Sequence, residues 1–576
     1  MADGALAAEG LEQREEQSLE DMRIARNGDR TLEQAVEKMS PFERKNLLLS
    51  YAREDEKKSA ATLLDAGRGN PNWIAARARE SFFLFGRFAM DEARRSMRVP
   101  GVDIAGMPKA AGAAVRFQQF LDAHLDDAAA PFLRDCLSYA ESQGFDLDEF
   151  VQEWTEGITG CEYPVPERIL KYTQEIVRRY LLAELCGGKE PSDAVHGATA
   201  DAAGHTFDLF ATEGGTAAMC YLFYCLKSNF LIHEGDTMAL MTPIFTPYIE
   251  IPELNDYDLE VVNVNASTMR SDGTHGWQYP QEELEKLADP NVRLLCLVNP
   301  SNPPSYAMSE ESRAVLVKIV REKNPNLMIV TDDVYGTFVP GYRSLFADLP
   351  YNTASIYSFS KYFGATGWRL AVAAVAKKNI FDDSIAALSD DEKKTLNSRY
   401  SSLGDDIPSI RFIDRMVADS RLVALNGTAG LSTPQQVQMS MFALQELMDR
   451  GHLYKTKMLE LVRDRFDCLW ESLDLKQDPD PLRADYYSII DLDQWSRKLY
   501  GDDFADWLEK NYHSLDFVFR LAKDTGIVVM DGGGFDAPSW SIRVSLANLQ
   551  IDDYQRIGEY VRQLLAEYAD VWKNAE

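Results

Sequence analysis

Residues 358–369 read SFSKYFGATGWR and begin at the end of a short apolar run. Lys361 therefore stands just beyond a predicted strand, with the hydroxyls of Ser358 and Ser360 beside it and Arg369 eight residues later. A primary amine next to hydroxyls and a fixed cation suits a cofactor that carries both an aldehyde and a phosphate. Taken alone, this stretch could also be an exposed loop with an ordinary surface lysine. Other motifs in the sequence are needed to distinguish this from a cofactor-binding lysine.

Short apolar runs recur between about residues 207 and 376, most of them separated by stretches of helix length. This alternation is typical of an α/β fold with a mostly parallel, doubly wound sheet. Seven strands are predicted: Phe207–Ala211, Thr237–Met241, Leu259–Val264, Leu294–Val298, Leu327–Thr331, Ile356–Phe359 and Leu370–Val375. In such a sheet, ligand chemistry gathers at the carboxyl ends of the strands.

Two of the other strand ends carry polar residues suited to such a ligand. The segment Thr331–Phe338 places two acids, Asp332 and Asp333, before Tyr335, and it lies upstream of the lysine segment. Two acids at a strand end could equally bind a cation or face water. After the first strand, a Gly-Gly-Thr turn at residues 214–216 opens a predicted helix, whose free N–H groups favour a phosphate.

Taken together, six motifs over roughly residues 163–545 occur in the order and at the spacing of the fold-type I aminotransferase family, which the chain resembles. The resemblance implies pyridoxal 5′-phosphate as cofactor and Lys361 as its Schiff-base lysine. It implies that Asp332 pairs with the pyridine nitrogen and that Tyr335 donates to the cofactor's 3′-oxygen. The phosphate ligands that it implies are Gly214, Gly215, Thr216, Ser358, Ser360 and Arg369.

The resemblance also assigns residues to the cofactor ring, the neighbouring subunit and the substrate. Phe245 stacks on the ring, and Asn302 contacts the 3′-oxygen, although residues 304–305 depart from the family's Asn-Pro-Thr-Gly motif. Tyr163 reaches the phosphate of the neighbouring subunit's cofactor, which implies a homodimer, with further assembly through the N-terminal arm. Arg543 is assigned to the substrate's α-carboxylate, which its guanidinium can bind through two parallel hydrogen bonds.

Segment Asp65–Trp73, DAGRGNPNW, occupies the place of the family's N-terminal substrate segment. Arg68 and Gly69 are therefore predicted to bind substrate, and a second cation suits a dicarboxylic amino acid. An ordinary loop arginine is the alternative.

Within the family, the chain resembles the aspartate 4-decarboxylases in the GRGNPNW segment, the variant NPSNPPS at residues 299–305 and the long helical regions. The implied function is decarboxylation of L-aspartate to L-alanine and CO2, with slow transamination as a side activity. The alternative is an aspartate or aromatic aminotransferase. A third hypothesis, a sensor domain fused to a DNA-binding segment, is disfavoured because residues 1–60 carry an acidic surplus.

The composition of the chain indicates which binding partners, which cellular location and which metal sites are expected. The net charge of −31 disfavours nucleic acid and anionic membranes. No apolar run is long enough to span a bilayer, and the acidic start lacks the pattern of a secretory signal, so a cytoplasmic enzyme is expected. The seven cysteines are not spaced as paired metal ligands, and no metal site is predicted.

The predicted domain organisation has four parts. Residues 1–60 form a helical N-terminal arm, and 61–195 contain the substrate loop and a helical insertion. Residues 196–435 form the large cofactor-binding domain, and 436–576 form a smaller α+β domain. The strands Tyr486–Leu492 and Ile542–Leu546 are predicted within this last part.

Overall fold

The computed structural model describes residues 36, 39–56, 63–161, 168–193, 195–197, 200–201, 204–271, 273–422, 430–475 and 478–575. The described strands are β1 (Leu64–Asp65), β2 (Phe207–Thr212), β3 (Thr237–Thr242), β4 (Glu260–Asn265), β5 (Val292–Val298), β6 (Met328–Asp332), β7 (Thr353–Ser358), β8 (Ala371–Ala376), β9 (Tyr487–Asp491), β10 (Ile527–Val528), β11 (Met530–Asp531) and β12 (Ser541–Ser545).

Seven of these strands form the central sheet, in the order β2-β8-β7-β6-β5-β3-β4. Strand β8 runs antiparallel to both of its neighbours, and the other pairings are parallel. Along β3, Leu240 packs into one hydrophobic core, whereas Ala239 and Met241 pack into another. Alternate side chains thus fill cores on opposite faces, as expected for a sheet covered on both sides. The prediction of seven strands in a mostly parallel sheet is confirmed.

Helices cover the sheet and also make up most of the described chain between residues 76 and 185. The described α-helices are α1 (Pro41–Glu56), α2 (Ala76–Ser96), α3 (Ala113–Asp122), α4 (Ala130–Ser142), α5 (Leu147–Thr159), α6 (Lys171–Leu185), α7 (Gly215–Ser228), α8 (Pro247–Glu253), α9 (Gln281–Leu284), α10 (Glu310–Glu322), α11 (Leu345–Asp348), α12 (Ile380–Ala386), α13 (Asp390–Arg399), α14 (Phe412–Ser420), α15 (Thr433–Met448), α16 (Leu453–Ser472), α17 (Leu492–Tyr500), α18 (Asp502–Asn511), α19 (Ser514–Thr525) and α20 (Ile551–Ala575). Among the residues that the structure describes, none of the helices is both long and apolar enough to cross a membrane.

A second unit is built around the antiparallel sheet β11-β12-β9 and the short parallel pair β1-β10. Its core joins residues near both ends of the chain, because Leu48 and Tyr51 of α1 pack with Phe519 and Tyr568. The Tyr51 and Phe519 ring centroids lie 5.7 Å apart. The described part of the predicted N-terminal arm therefore packs against the C-terminal unit. The four domain boundaries themselves stay predictions.

The chain around Trp73 is fastened to the turn that follows Lys361. The Trp73 indole N–H donates to the Tyr362 carbonyl at 3.1 Å, and the Ala75 N–H donates to the Phe363 carbonyl at 3.1 Å. Gly364 has φ +58°, and a Cβ at this position would lie 1.8 Å from the Trp73 carbonyl oxygen. Only glycine allows both the backbone conformation and this close approach.

Replacing Gly364 by alanine is therefore expected to lower the free energy of unfolding by at least about 2 kcal/mol. Urea unfolding followed by circular dichroism measures this change. Gly367→Ala is the matched control, because its Cβ would meet no atom within 4 Å. Equal stability of the two variants would contradict the proposed close packing.

Candidate active site

The predicted polar strand ends converge on one pocket. It is lined by Gly215, Thr216, Phe245, Val298, Asn302, Asp332, Val334, Tyr335, Ser358, Ser360, Lys361, Thr366, Arg369 and Tyr487. Most of these residues follow β2, β3, β5, β6 and β7 at the carboxyl edge of the sheet. Ten of the predicted cofactor residues are thus brought together from distant parts of the sequence, and Gly214 adjoins them.

Lys361 is held at the pocket by the N-terminal substrate segment. Its Nζ donates a hydrogen bond of 2.9 Å to the Gly69 carbonyl, which also accepts from the Tyr486 hydroxyl at 2.8 Å. Nζ lies 5.9 Å from the centroid of the Tyr486 ring. The amine is therefore oriented by a neutral carbonyl and an aromatic face, and neither of these two contacts is a salt bridge.

One end of the pocket is suited to a phosphate. The N-terminus of α7 begins at Gly215, and Gly214 packs so closely on Arg369 that a Cβ there would lie 2.1 Å from an Arg369 Nη atom. The Ser358 and Ser360 hydroxyls lie 3.0 Å apart on the adjoining wall. Helix N–H groups, two hydroxyls and an exposed guanidinium together can neutralise a dianion.

The opposite end carries the two acids of the Thr331–Phe338 segment, which have different environments. Asp333 is buried and accepts hydrogen bonds from four hydroxyls, those of Thr331, Tyr342, Ser344 and Ser355. Asp332 faces the pocket, and among the described residues its carboxylate accepts only from the Val334 N–H, at 3.2 Å. Burial, together with the nearby charge of Asp333, raises the pKa of Asp332 to about 7.

The different hydrogen bonding of Asp332 and Asp333 shows that the pocket can accept a pyridoxal ring. Asp333 has its hydrogen-bonding capacity filled by protein, whereas the pocket-facing carboxyl of Asp332 has room for a donor from a ligand. A protonated ring nitrogen would supply that donor and a compensating charge. The donors at the phosphate end and this acceptor at the other match the two ends of pyridoxal phosphate.

Phe245, Asn302 and Tyr335 line the pocket between these two ends. The Tyr335 hydroxyl donates to the Tyr487 hydroxyl at 3.2 Å, and the Asn302 side-chain oxygen accepts from Arg543 at 3.3 Å. These positions agree with the predicted contacts to the ring face and to the 3′-oxygen. The assigned contacts themselves stay predictions.

Arg543 is a buried cation whose charge is not balanced by a described carboxylate. Its Nη2 donates to the Gly67 carbonyl at 2.7 Å, and its guanidinium lies between the rings of Tyr487 and Phe535, 4.3 and 4.7 Å from their centroids. Its Nε has no hydrogen-bond partner among the described residues, and none of their salt bridges includes it. Because an unpaired buried charge is costly, this site is suited to an anionic ligand.

Two predicted residues are not in this cluster. The Arg68 side chain is 60% exposed and lines a different cavity from Lys361, with its Nε 3.9 Å from the Asp65 carboxylate, so its contact with substrate stays a prediction. Gly69, by contrast, contributes its carbonyl to the site. Tyr163 lies outside the described residues.

The sequence reasoning missed Tyr487, which begins β9 and lines the pocket. Burial alone would raise its pKa, but the charges of Lys361 and Arg543 and the hydrogen bond from Tyr335 outweigh it, so the pKa of Tyr487 is lowered. The available signal was the Tyr-Tyr pair that opens a strand in the same small domain as Arg543. A Cβ at Gly69 would lie 2.2 Å from the Tyr487 hydroxyl, which explains glycine at that position.

Comparison with known proteins agrees with this arrangement. Residues 198–561 match the family model for aminotransferase class I and II. A bifunctional aspartate aminotransferase and L-aspartate beta-decarboxylase from a Pseudomonas species is 45% identical over 93% of this chain and 97% of its own length.

Solved structures show the same fold at low identity. A single mutant of Thermus thermophilus aspartate aminotransferase has a TM-score of 0.56 at 16% identity, covering 92% of this chain and 97% of that one. An aromatic aminotransferase from Pyrococcus horikoshii OT3 has a TM-score of 0.53 at 16% identity, covering 90% and 99% of the two chains. The chain belongs to the aminotransferase class I and II family, with the fold-type I architecture, and is a pyridoxal-phosphate-dependent enzyme.

Proposed function

We propose that the protein converts L-aspartate into L-alanine and CO2, with slow transamination as a side activity. The observation that carries this proposal is the relative from Pseudomonas, which is named for both activities and aligns over nearly the full length of both chains. The cluster around Lys361 supplies the groups that such a reaction needs. In the reaction, the bond between Cβ and the side-chain carboxylate breaks, CO2 leaves, and a proton takes its place on Cβ.

When bound, pyridoxal phosphate supplies an aldehyde that condenses with amines and a ring that accepts electrons from the substrate carbons. Asp332 faces the predicted place of the ring nitrogen, and its raised pKa suits a proton shared with that nitrogen. The α7 N-terminus and Arg369 hold the phosphate end. The protein would thus hold the cofactor at its ring nitrogen and at its phosphate, and Asp332 would stabilise a proton on the ring nitrogen.

Lys361 is the group that moves protons. Its Nζ would hold the cofactor's aldehyde carbon, and as a free amine it would be the base placed to remove the Cα proton of the substrate. The Gly69 carbonyl, 2.9 Å away, keeps the amine above the pocket. The same residue can therefore take a proton at one substrate carbon and return it at a neighbouring position.

Arg543 is the proposed ligand of the substrate's α-carboxylate. The guanidinium is buried, stacked between two rings and fixed by the Gly67 carbonyl, so little side-chain entropy is lost when it binds a carboxylate. Arg68, if it turns inward, is the proposed second cation for the side-chain carboxylate of aspartate.

The second candidate function is an aspartate or aromatic aminotransferase. It uses the same pocket and differs in the fate of the substrate carbons, since hydrolysis before CO2 loss releases a keto acid. The Pseudomonas relative is an aspartate aminotransferase as well as a decarboxylase, which favours the aspartate form of this activity.

We also propose a cytoplasmic homodimer that assembles further. Seven described cysteines are free, which is consistent with a reducing compartment. The proposed subunit contact is Tyr163, which would reach the neighbouring subunit's phosphate. Sedimentation analysis of the purified protein measures the assembly.

The proposed reaction is tested by incubating cofactor-loaded protein with L-aspartate and measuring CO2, alanine and oxaloacetate together. We expect CO2 and alanine in equal amounts without any added keto acid, and oxaloacetate as a minor product. Oxaloacetate formed only with an added keto acid, and no CO2, would replace the decarboxylase by an aminotransferase.

A further inference from the structure

A second cavity, of about 390 Å³, lies along β9, the strand that also contributes Tyr487 to the cofactor pocket. Five aromatic side chains line it: Trp277, Tyr306, Phe466, Trp470 and Trp495. None of these residues belongs to the cofactor pocket. Flat aromatic walls around a cavity of this size are suited to a small planar molecule.

The cavity wall also includes a buried donor that lacks an acceptor. Trp495 is 3% exposed, and its indole N–H has no hydrogen-bond partner among the described residues. The neighbouring Trp470 differs, because its indole N–H donates to the Ser488 hydroxyl at 2.9 Å. Buried donors are almost always satisfied, so an acceptor from a bound molecule is the expected partner of Trp495.

His275 adds a second unsatisfied group. Its Nε2 lies 2.7 Å from the Asp491 carboxylate, and its ring stacks on Trp277 with the centroids 4.3 Å apart. Its Nδ1 is buried and has no partner among the described residues. The cavity therefore combines aromatic faces with two buried nitrogen atoms, those of the Trp495 indole and His275 Nδ1, that have no hydrogen-bond partner among the described residues.

The charge of the lining is opposite to that of the whole chain. Arg270, Arg483, Arg497 and Lys498 line the cavity with a single carboxylate, Asp491, in a protein of net charge −31. The three arginines have acidic partners outside the lining, and Lys498 is exposed with no salt bridge to a described carboxylate. Among the cations of the lining, Lys498 is therefore the one without a described acidic partner, and the anionic group of a ligand would pair with it.

We propose that this cavity is a second binding site, for a small planar aromatic carboxylate. The rings of Trp277, Trp470 and Trp495 provide the stacking surface. The Trp495 N–H donates to an acceptor on the ligand, and the carboxylate lies at the cationic rim near Lys498. The site is separate from the bound cofactor and from the proposed substrate site at Arg543.

The two sites share a wall. Along β9, Tyr487 lines the cofactor pocket, and the residues that follow it, Ser488 to Asp491, line the second cavity. Along the Asn-Pro-Pro-Ser loop, Asn302 lines the first and Pro304 the second. A ligand in the second cavity would therefore contact β9 and the Asn-Pro-Pro-Ser loop, two segments that also contribute residues to the candidate active site.

The test uses the full-length, cofactor-loaded protein and the probe indole-3-carboxylate, with binding measured by isothermal titration calorimetry. Saturating maleate is present to occupy the carboxylate site at Arg543. We expect one saturable site per chain. Indole-3-carboxamide, which lacks the charge, and cyclohexanecarboxylate, which lacks the planar ring, are each expected to bind at least about fivefold more weakly.

Two variants locate the probe. Trp495→Phe keeps an aromatic ring and removes the N–H, and it is expected to weaken binding about tenfold. Lys498→Gln changes an exposed side chain that has no described salt bridge, and this variant is expected to weaken binding of the probe about threefold. The proposal is overturned if no saturable binding is seen, if increasing maleate displaces the probe, or if both variants bind it as the wild type does.

Discussion

Lys361→Ala is expected to lower the rate of alanine and CO2 formation from L-aspartate by at least about 10⁴-fold. In the proposed mechanism, the variant loses both the amine that would hold the cofactor aldehyde and the base that would move the substrate's protons. Because Nζ makes a single described hydrogen bond, to the Gly69 carbonyl, its loss should leave the fold intact. The expected defect is therefore chemical.

The measurement combines product analysis with borohydride reduction and mass spectrometry of the digested protein. In the wild type, reduction should fix the cofactor to the peptide that contains Lys361, and in the variant no peptide should carry it. Lys378→Ala is the control, since Lys378 is exposed and paired with Asp383 outside the pocket. Cofactor attached to another lysine in the wild type would contradict the assignment.

Asp332→Asn is expected to lower kcat by about 10²–10³-fold, comparable to the loss of one well-placed electrostatic contact in other enzymes. Asparagine has nearly the same shape but cannot balance a proton on the ring nitrogen, so the ring accepts electrons less well. Steady-state kinetics with L-aspartate at saturating cofactor measures the change. A wild-type kcat would show that Asp332 is not the partner of the ring.

The adjacent acid provides a matched comparison. Asp333→Asn replaces one of the two oxygens that accept from four hydroxyls by an NH2 donor, and it is expected to lower the free energy of unfolding by about 3 kcal/mol. Asp332→Asn should change stability much less, because Asp332 accepts one described hydrogen bond. A loss of stability in Asp332→Asn equal to that in Asp333→Asn would show that Asp332 also serves the fold.

The sheet was predictable because its strands are buried on both faces and therefore read as continuous apolar runs. Strand β8, for example, is buried along its whole length and was recognised as Leu370–Val375, within one residue of the observed bounds. Its antiparallel direction was not predicted, since direction depends on the path of the connecting chain. The packing of α1 on the C-terminal unit was also missed, because residues so far apart in sequence leave no local pattern.

The candidate site was predictable to the extent that its residues lie in compact motifs. Asp332, Tyr335 and Lys361 were found because each directly follows a strand in the sheet. Tyr487 was missed because a tyrosine in a strand reads as ordinary core, and only the fold places it beside Lys361. The exposed position of Arg68 could not be anticipated, because the side-chain direction in a glycine-flanked loop is set by tertiary contacts.

The pairing of β1 with β10 has a consequence for how the protein is made. Leu64 lies beside Ile527, and the Ala66 carbonyl accepts from the Ser545 N–H, so the segment that presents Gly69 to the lysine rests on strands near the other end of the chain. During translation, this segment leaves the ribosome several hundred residues before its partners exist. A nascent chain thus completes this part of the candidate active site only after residues 527–545 have been synthesised, and a chain interrupted before them leaves β1 unpaired and accessible to proteases.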